Sequence, residues 1–141
     1  MVRLLNQADW GEDRGRIQRL KGWVYYPLLL EAYDTLQEEA LFPSAIHGPA
    51  HIHRVLLLSA LVCQGVGEGM VRQVFRAASY HDVGRTFDGY DVDHGARSAL
   101  RLTELTGQTG EALRELQAAV TAHARPDREM EAVVASLHLQ N

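Results

Sequence analysis

From Trp23 onward, apolar residues recur at three- and four-residue spacing, and few stretches alternate with period two. Such a pattern lays apolar stripes along helices and does not build the alternating faces of strands. The expected fold is therefore all-α, a single-domain bundle of about six helices with no sheet. At 141 residues and 46% hydrophobic composition the chain can bury one core of useful size. Residues 1–22 read as an N-terminal segment, loop-like with a short helix at its start, and residues 23–141 as the helical domain. Trp10 and Trp23 are expected to pack that segment onto the bundle.

Turn residues divide the domain. Pro27 suits the first turn of a helix to about residue 41, with Leu29, Ala32, Tyr33, Leu36 and Ala40 buried. Gly48-Pro49 starts a second helix to about residue 64, with His51, Val55, Leu58 and Val62 as its core-facing stripe. Gly65, Gly67 and Gly69 separate it from a third, ending at His81 or Asp82 and burying Val71, Val74, Phe75 and Ala78. Residues 84–91 form a polar loop. Asp93 is placed to cap a fourth helix reaching Leu105 and closed by Gly107, a fifth covers about 110–124, and Pro126 breaks before a sixth over about 128–139.

Composition removes several classes of function. Net charge is −4, and the 14 basic residues, nearly all arginine, are scattered among acidic ones, so no nucleic-acid footprint is visible. Cys63 is the only cysteine, which rules out an intramolecular disulfide and a thiolate-rich zinc site and suits a reducing compartment. The N-terminal residues lack an apolar targeting core and no apolar run is long enough to span a bilayer. A cytoplasmic protein with no membrane partner is the expectation.

Chemistry concentrates on histidine. His51, His81, His94 and His123 each stand at one end of an apolar helical stripe, and Asp82 follows His81 directly. Several inward imidazoles would each cost about 1–3 kcal/mol if unpaired, whereas a shared divalent metal satisfies them together. Imidazole and carboxylate ligands without thiolate admit Fe, Mn, Ni, Co, Zn or Mg. The competing reading is ordinary hydrogen bonding of core histidines. His53 and His138 read as surface residues.

The segments His47-Gly48-Pro49-Ala50-His51-Ile52-His53-Arg54-Val55 and His81-Asp82-Val83-Gly84-Arg85 resemble the first two motifs of the HD superfamily of metal-dependent phosphohydrolases, over about residues 46–134. The resemblance implies an all-α domain with His51, His81 and Asp82 as metal ligands, His47 acting on the leaving group, and His94 and His123 extending the site to a larger or second metal. It implies hydrolysis of a phosphate ester, of a nucleotide or another small molecule, by water that a divalent metal has made nucleophilic. Asp82 would ligate and accept a proton. Arg85, with Arg54 and Arg97 assisting, would hold phosphoryl oxygens, and Phe87 or Tyr90 would cover the pocket. One position departs from the family: a distal Asp is expected on the helix after His123, but residues 131–141 contain none. A shortened chain, a shell completed by Asp127, and a weakened or lost site are all open. The last makes the chain a ligand-binding or partner-binding module without turnover.

Overall fold

A computed structural model describes residues 14–125. The described residues form helices α1 (Arg14–Arg19), α2 (Tyr26–Thr35), α3 (Pro49–Val62), α4 (Glu68–Tyr80), α5 (His94–Ala99), α6 (Leu102–Thr106) and α7 (Gly110–His123). Single 3₁₀ turns follow at Leu20–Gly22 and Glu38–Ala40, and no strand occurs among these residues. The all-α expectation holds. The break at Pro126 and the helix over 128–139 lie outside the described residues, as do Trp10, Asp127 and His138. Two compact units divide the described chain, one from residues 14–36 and 53–79, the other from 37–52 and 80–125.

The first unit has an aliphatic interior in which Ile17, Leu29, Leu56, Leu57 and Val71 are fully buried. Residues 14–22 are helical and carry core residues, against the expectation of a loop. Their two apolar side chains, Ile17 and Leu20, make a one-turn stripe too short for periodicity to register among arginines. Trp23 meets the ring edges of Tyr25 and Phe75 at 5.7 and 6.3 Å. Pro27 sits in the first turn of α2 as expected, but the helix stops at Thr35, and Leu36 turns extended at ψ 122°. The Thr35 hydroxyl donates to the Glu31 carbonyl at 2.8 Å, a back-bond that weakens a helix end. Of the face expected to be buried, only Leu29 is fully enclosed.

The stripe assigned to α3 also needs correction. Leu58 is 46% and Val62 80% exposed, while Ile52, Leu56, Leu57, Ala60 and Cys63 are buried. An all-apolar run such as Val55-Leu56-Leu57-Leu58 offers two candidate faces, and periodicity cannot choose between them. On α4, Val71, Phe75 and Ala78 are buried as expected, while Val74 is half-buried.

In the second unit, the backbone N–H of Gln37 donates to the Tyr80 hydroxyl and its side-chain amide to the Leu105 carbonyl, each at 3.1 Å. The expected fourth helix is two short ones, α5 and α6, broken at Leu100-Arg101, where Arg101 N–H bonds the Ser98 carbonyl three residues back. Its stripe survives the break: His94, Ser98, Leu102 and Leu105 are all buried. Asp93 makes no side-chain capping bond; instead the Asp91 carboxylate accepts the Asp93 N–H at 3.1 Å. Gly107 closes α6 at φ 72°, a left-handed cap that favours glycine. Helices α5 and α7 pack together closely. A Cβ on Gly95 would stand 2.6 Å from the Val120 carbonyl oxygen and 2.7 Å from that of Thr121.

Candidate metal centre

All five candidate ligands fall in the second unit. His51 occupies the first turn of α3, His81 and Asp82 the tight turn after α4, His94 the first position of α5 and His123 the last of α7. Glycine lets each motif approach its neighbours. A Cβ on Gly48 would reach 2.8 Å from the Phe42 carbonyl oxygen, and one on Gly84 would reach 2.8 Å from Arg97. The Gly84 N–H donates to Ser98 Oγ at 2.8 Å, and Ser98 Oγ donates to the His94 carbonyl at 2.7 Å, so the turn carrying Asp82 is tied to the helix carrying His94.

Asp82 is the centre of the cluster and is 3% exposed. Its Oδ2 lies 3.2 Å from Nε2 of both His51 and His81. Its Oδ1 lies 3.0 Å from Nε2 of His94, 3.6 Å from Nε2 of His123 and 3.2 Å from Nε of Arg85. Within the two imidazole pairs the facing nitrogens are 3.4 Å apart for His51 and His81, and 2.9 Å for His94 and His123. Burial opposes ionisation of Asp82, but its imidazole neighbours His123 and His81 and the guanidinium of Arg85 outweigh it. The carboxyl is held far below the usual carboxylate range.

Tautomers sharpen the picture. His94 Nδ1 faces the Asp91 carbonyl at 2.6 Å, and His123 Nδ1 bonds the Val120 carbonyl. A carbonyl only accepts, so both Nδ1 atoms carry the proton, and in the neutral rings both Nε2 atoms present lone pairs. Two such lone pairs facing each other and a carboxylate oxygen repel unless a positive centre joins them. Either an imidazolium or a metal ion supplies it. His94 is buried, which pushes its pKa below the ordinary value despite the Asp91 carbonyl bond. Burial therefore disfavours the imidazolium there.

The donor set fits a metal. Two nitrogens bound to one ion at about 2.0–2.1 Å stand about 3.0 Å apart at a right angle and about 3.4 Å apart at a tetrahedral angle. The two imidazole pairs, at 3.4 and 2.9 Å, and the Asp82 oxygens at 3.0–3.2 Å from His51, His81 and His94 lie close to that range, with His123 farther from Asp82 at 3.6 Å. Two groups capable of holding an ion, His51–His81–Asp82 and Asp82–His94–His123, share the one carboxylate. Carbonyls that fix the ligand tautomer from behind are the usual outer shell of such sites.

The arginines stand differently. Arg85 donates from Nε to Asp82 Oδ1 and from its terminal nitrogen to the carbonyls of Phe87 and Gly89 at 3.3 and 3.1 Å, so its fork ties the 84–91 loop to the cluster. Arg97 donates to the Gly84 carbonyl at 2.9 Å and pairs with Asp91, clamping both ends of that loop. Arg54 is exposed on α3 and belongs to the first unit. Phe87 and Tyr90 are both exposed. His53, expected at the surface, is half-buried with its ring edge-on to Tyr33.

Sequence reasoning passed over Asp88 and Ser44. His47 Nδ1 is 2.9 Å from Asp88 Oδ1, and the Ser44 hydroxyl donates to the same oxygen at 2.6 Å while accepting the N–H groups of Ile46 and His47. The bond from Ser44, followed by that from His47, holds the Asp88 carboxyl below its ordinary value. The His47 ring stands edge-on to that of His51 with centroids 5.6 Å apart. The only signal in the sequence was an acidic pair, Asp88 and Asp91, in the loop after the His-Asp doublet.

No family model, characterised protein or solved structure matches the chain. No helix of the described residues is long and apolar enough to cross a membrane. The chain is thus an all-α protein with a His/Asp cluster able to hold a metal ion.

Proposed function

We propose that the protein is a divalent-metal-dependent phosphohydrolase of the HD type, acting on a phosphate ester of a nucleotide or other small molecule. The observation that carries this reading is the convergence of the His51, His81, His94 and His123 Nε2 atoms on the two oxygens of Asp82. These five residues would hold the metal. A bound divalent ion acidifies water toward neutral pH and neutralises charge on a phosphoryl group. Asp82 offers both oxygens to the cluster and keeps it anionic. Its depressed pKa leaves it able to ligate without first losing a proton. Arg85 brings a fixed positive charge beside the same carboxylate, where a phosphoryl oxygen would be stabilised. His47, whose ring stands against that of His51, would protonate the leaving group.

A second reading, a ligand-binding or partner-binding module without turnover, draws on the arginines. Arg85 and Arg97 are already engaged by Asp82, Asp91 and loop carbonyls, so binding phosphate requires one of them to exchange partners. The deciding experiment is metal content by plasma mass spectrometry on protein purified without chelator, with phosphate release from a panel of nucleotides and phosphate esters. Metal in the parent, little in His81→Ala, and phosphate release only by the parent support the hydrolase. Stoichiometric metal with no release from any ester supports the module. Protein that takes up no added Mn, Fe or Ni refutes the metal centre.

A further inference from the structure

The 84–91 loop contributes a group that neither the metal cluster nor the hydrolase reading uses. Asp88 Oδ1 lies between the Ser44 hydroxyl and His47 Nδ1, at 2.6 and 2.9 Å. A carboxylate can only accept, so the proton on this edge of His47 is on Nδ1, and Nε2 is the nitrogen left for exchange with a ligand. Ser44 locks the arrangement from the other side. Its hydroxyl donates to Asp88 while its oxygen accepts the Ile46 and His47 N–H groups at 3.0 and 3.2 Å. His47 and its partner are therefore held by a closed set of hydrogen bonds.

We infer that Asp88 is a positioning residue for His47, and that the pair suits phosphate esters of poorly acidic alcohols, such as a sugar or alkyl hydroxyl. The inference rests on the phosphohydrolase reading. When the phosphorus–ester oxygen bond breaks, its electron pair stays on the ester oxygen. An alkoxide leaving group then needs a proton, whereas an acidic phenol or a phosphate leaves without one. His47 Nε2 gives that proton and becomes neutral; Asp88 keeps its hydrogen bond to Nδ1 throughout and takes no proton. Water forms the new bond to phosphorus, and of its two protons one stays on the phosphate product and the other restores His47. The sum is ester plus water giving alcohol plus phosphate.

The test uses the full metal-loaded chain, as the parent, Asp88→Ala, Asp88→Glu and His47→Gln. Two substrates are compared, a nitrophenyl phosphate and a nucleoside 5′-monophosphate, with metal content checked for each variant. The expected result is that Asp88→Ala lowers the ratio of nucleotide to nitrophenyl kcat by about 100-fold, within the range for loss of a general acid. His47→Gln should lower it at least as far, KM should move little, and Asp88→Glu should restore part of the ratio. Nitrogen-15 NMR at a pH where the ring is neutral should show the His47 Nδ1–H tautomer in the parent and its loss in Asp88→Ala. An unchanged ratio in a metal-replete Asp88→Ala overturns the inference while the hydrolase reading stands. A metal-loaded parent that cleaves neither ester overturns both.

Discussion

The two compact units are built around opposite kinds of interior. In one, Ile17, Leu29, Leu56, Leu57 and Val71 fill the centre and no charged residue is buried among the described residues. In the other, Asp82, His94 and Ser98 are buried, and the centre is a carboxylate ringed by imidazoles. An aliphatic interior gains stability from area alone, without regard to direction. A polar interior holds only when each group meets a partner at the right distance and angle, and an unfilled position costs more than an apolar one would. The first unit therefore follows the ordinary rules of packing, whereas the second departs from them where a metal would restore the balance. Departures of that kind mark functional sites.

Several substitutions would break or sharpen this contrast. The largest effect belongs to Asp82→Asn. Because both candidate ion-binding groups depend on this carboxylate, metal affinity should fall by about 100-fold or more. Mass spectrometry of purified protein checks it, and parent-like metal content in the variant would show that Asp82 is not the shared ligand.

Leu57→Ala, in the aliphatic interior, should cost about 2–5 kcal/mol of stability. Urea unfolding gives the number, and metal content of the folded protein should stay at the parent level. A drop in metal equal to that of Asp82→Asn would dissolve the distinction between the two interiors.

Glycine substitution should have opposite signs in the two units. Gly95→Ala places a Cβ against the Val120 and Thr121 carbonyls, so it should destabilise by about 1–3 kcal/mol. Gly69→Ala, in the first turn of α4 with nothing within 4 Å, should stabilise by up to about 1 kcal/mol. Matching thermal shifts of the same sign would argue against the close approach of α5 to α7.

The smallest effect is on pH dependence. Burial lowers the His94 pKa from its ordinary 6.5 in the folded protein, so below that pH the unfolded chain takes up the proton first. Stability of the chelated protein should be full above about pH 6.5 and decline as pH falls below it. The limiting slope for one proton is about 1.4 kcal/mol per pH unit. Urea titrations at a series of pH values measure the slope, and His94→Gln should flatten it. A slope of the opposite sign would mean that His94 gains a proton on folding.

Much of the local structure was legible. Pro27 and Gly107 marked helix ends because a fixed φ and a left-handed cap are properties of single residues. The stripe His94, Ser98, Leu102, Leu105 was read as buried and is buried, since spacing of three and four carries across a one-turn break. The α3 stripe failed because Leu56 and Leu57 compete with Leu58 for the inside, and only the neighbours decide which wins. Arg85 and Arg97 were expected to hold phosphoryl oxygens. The structure adds bonds the sequence did not announce, to Asp82, to Asp91 and to carbonyls of a loop whose shape no local pattern specifies.

The sequence by itself determined that this chain is helical and that histidines and Asp82 stand at the ends of its apolar stripes as candidate metal ligands, because periodicity and residue type are written locally. Tertiary structure alone decided that one Asp82 oxygen faces His51 and His81 and the other His94 and His123, and that Asp88 reaches back to His47. Apart from the adjacent His81 and the nearer His94, those pairings join residues about thirty or forty positions apart. Gly48, Gly84 and Gly95 help them form, since a Cβ at any of the three would stand under 3.0 Å from neighbouring backbone that would have to shift.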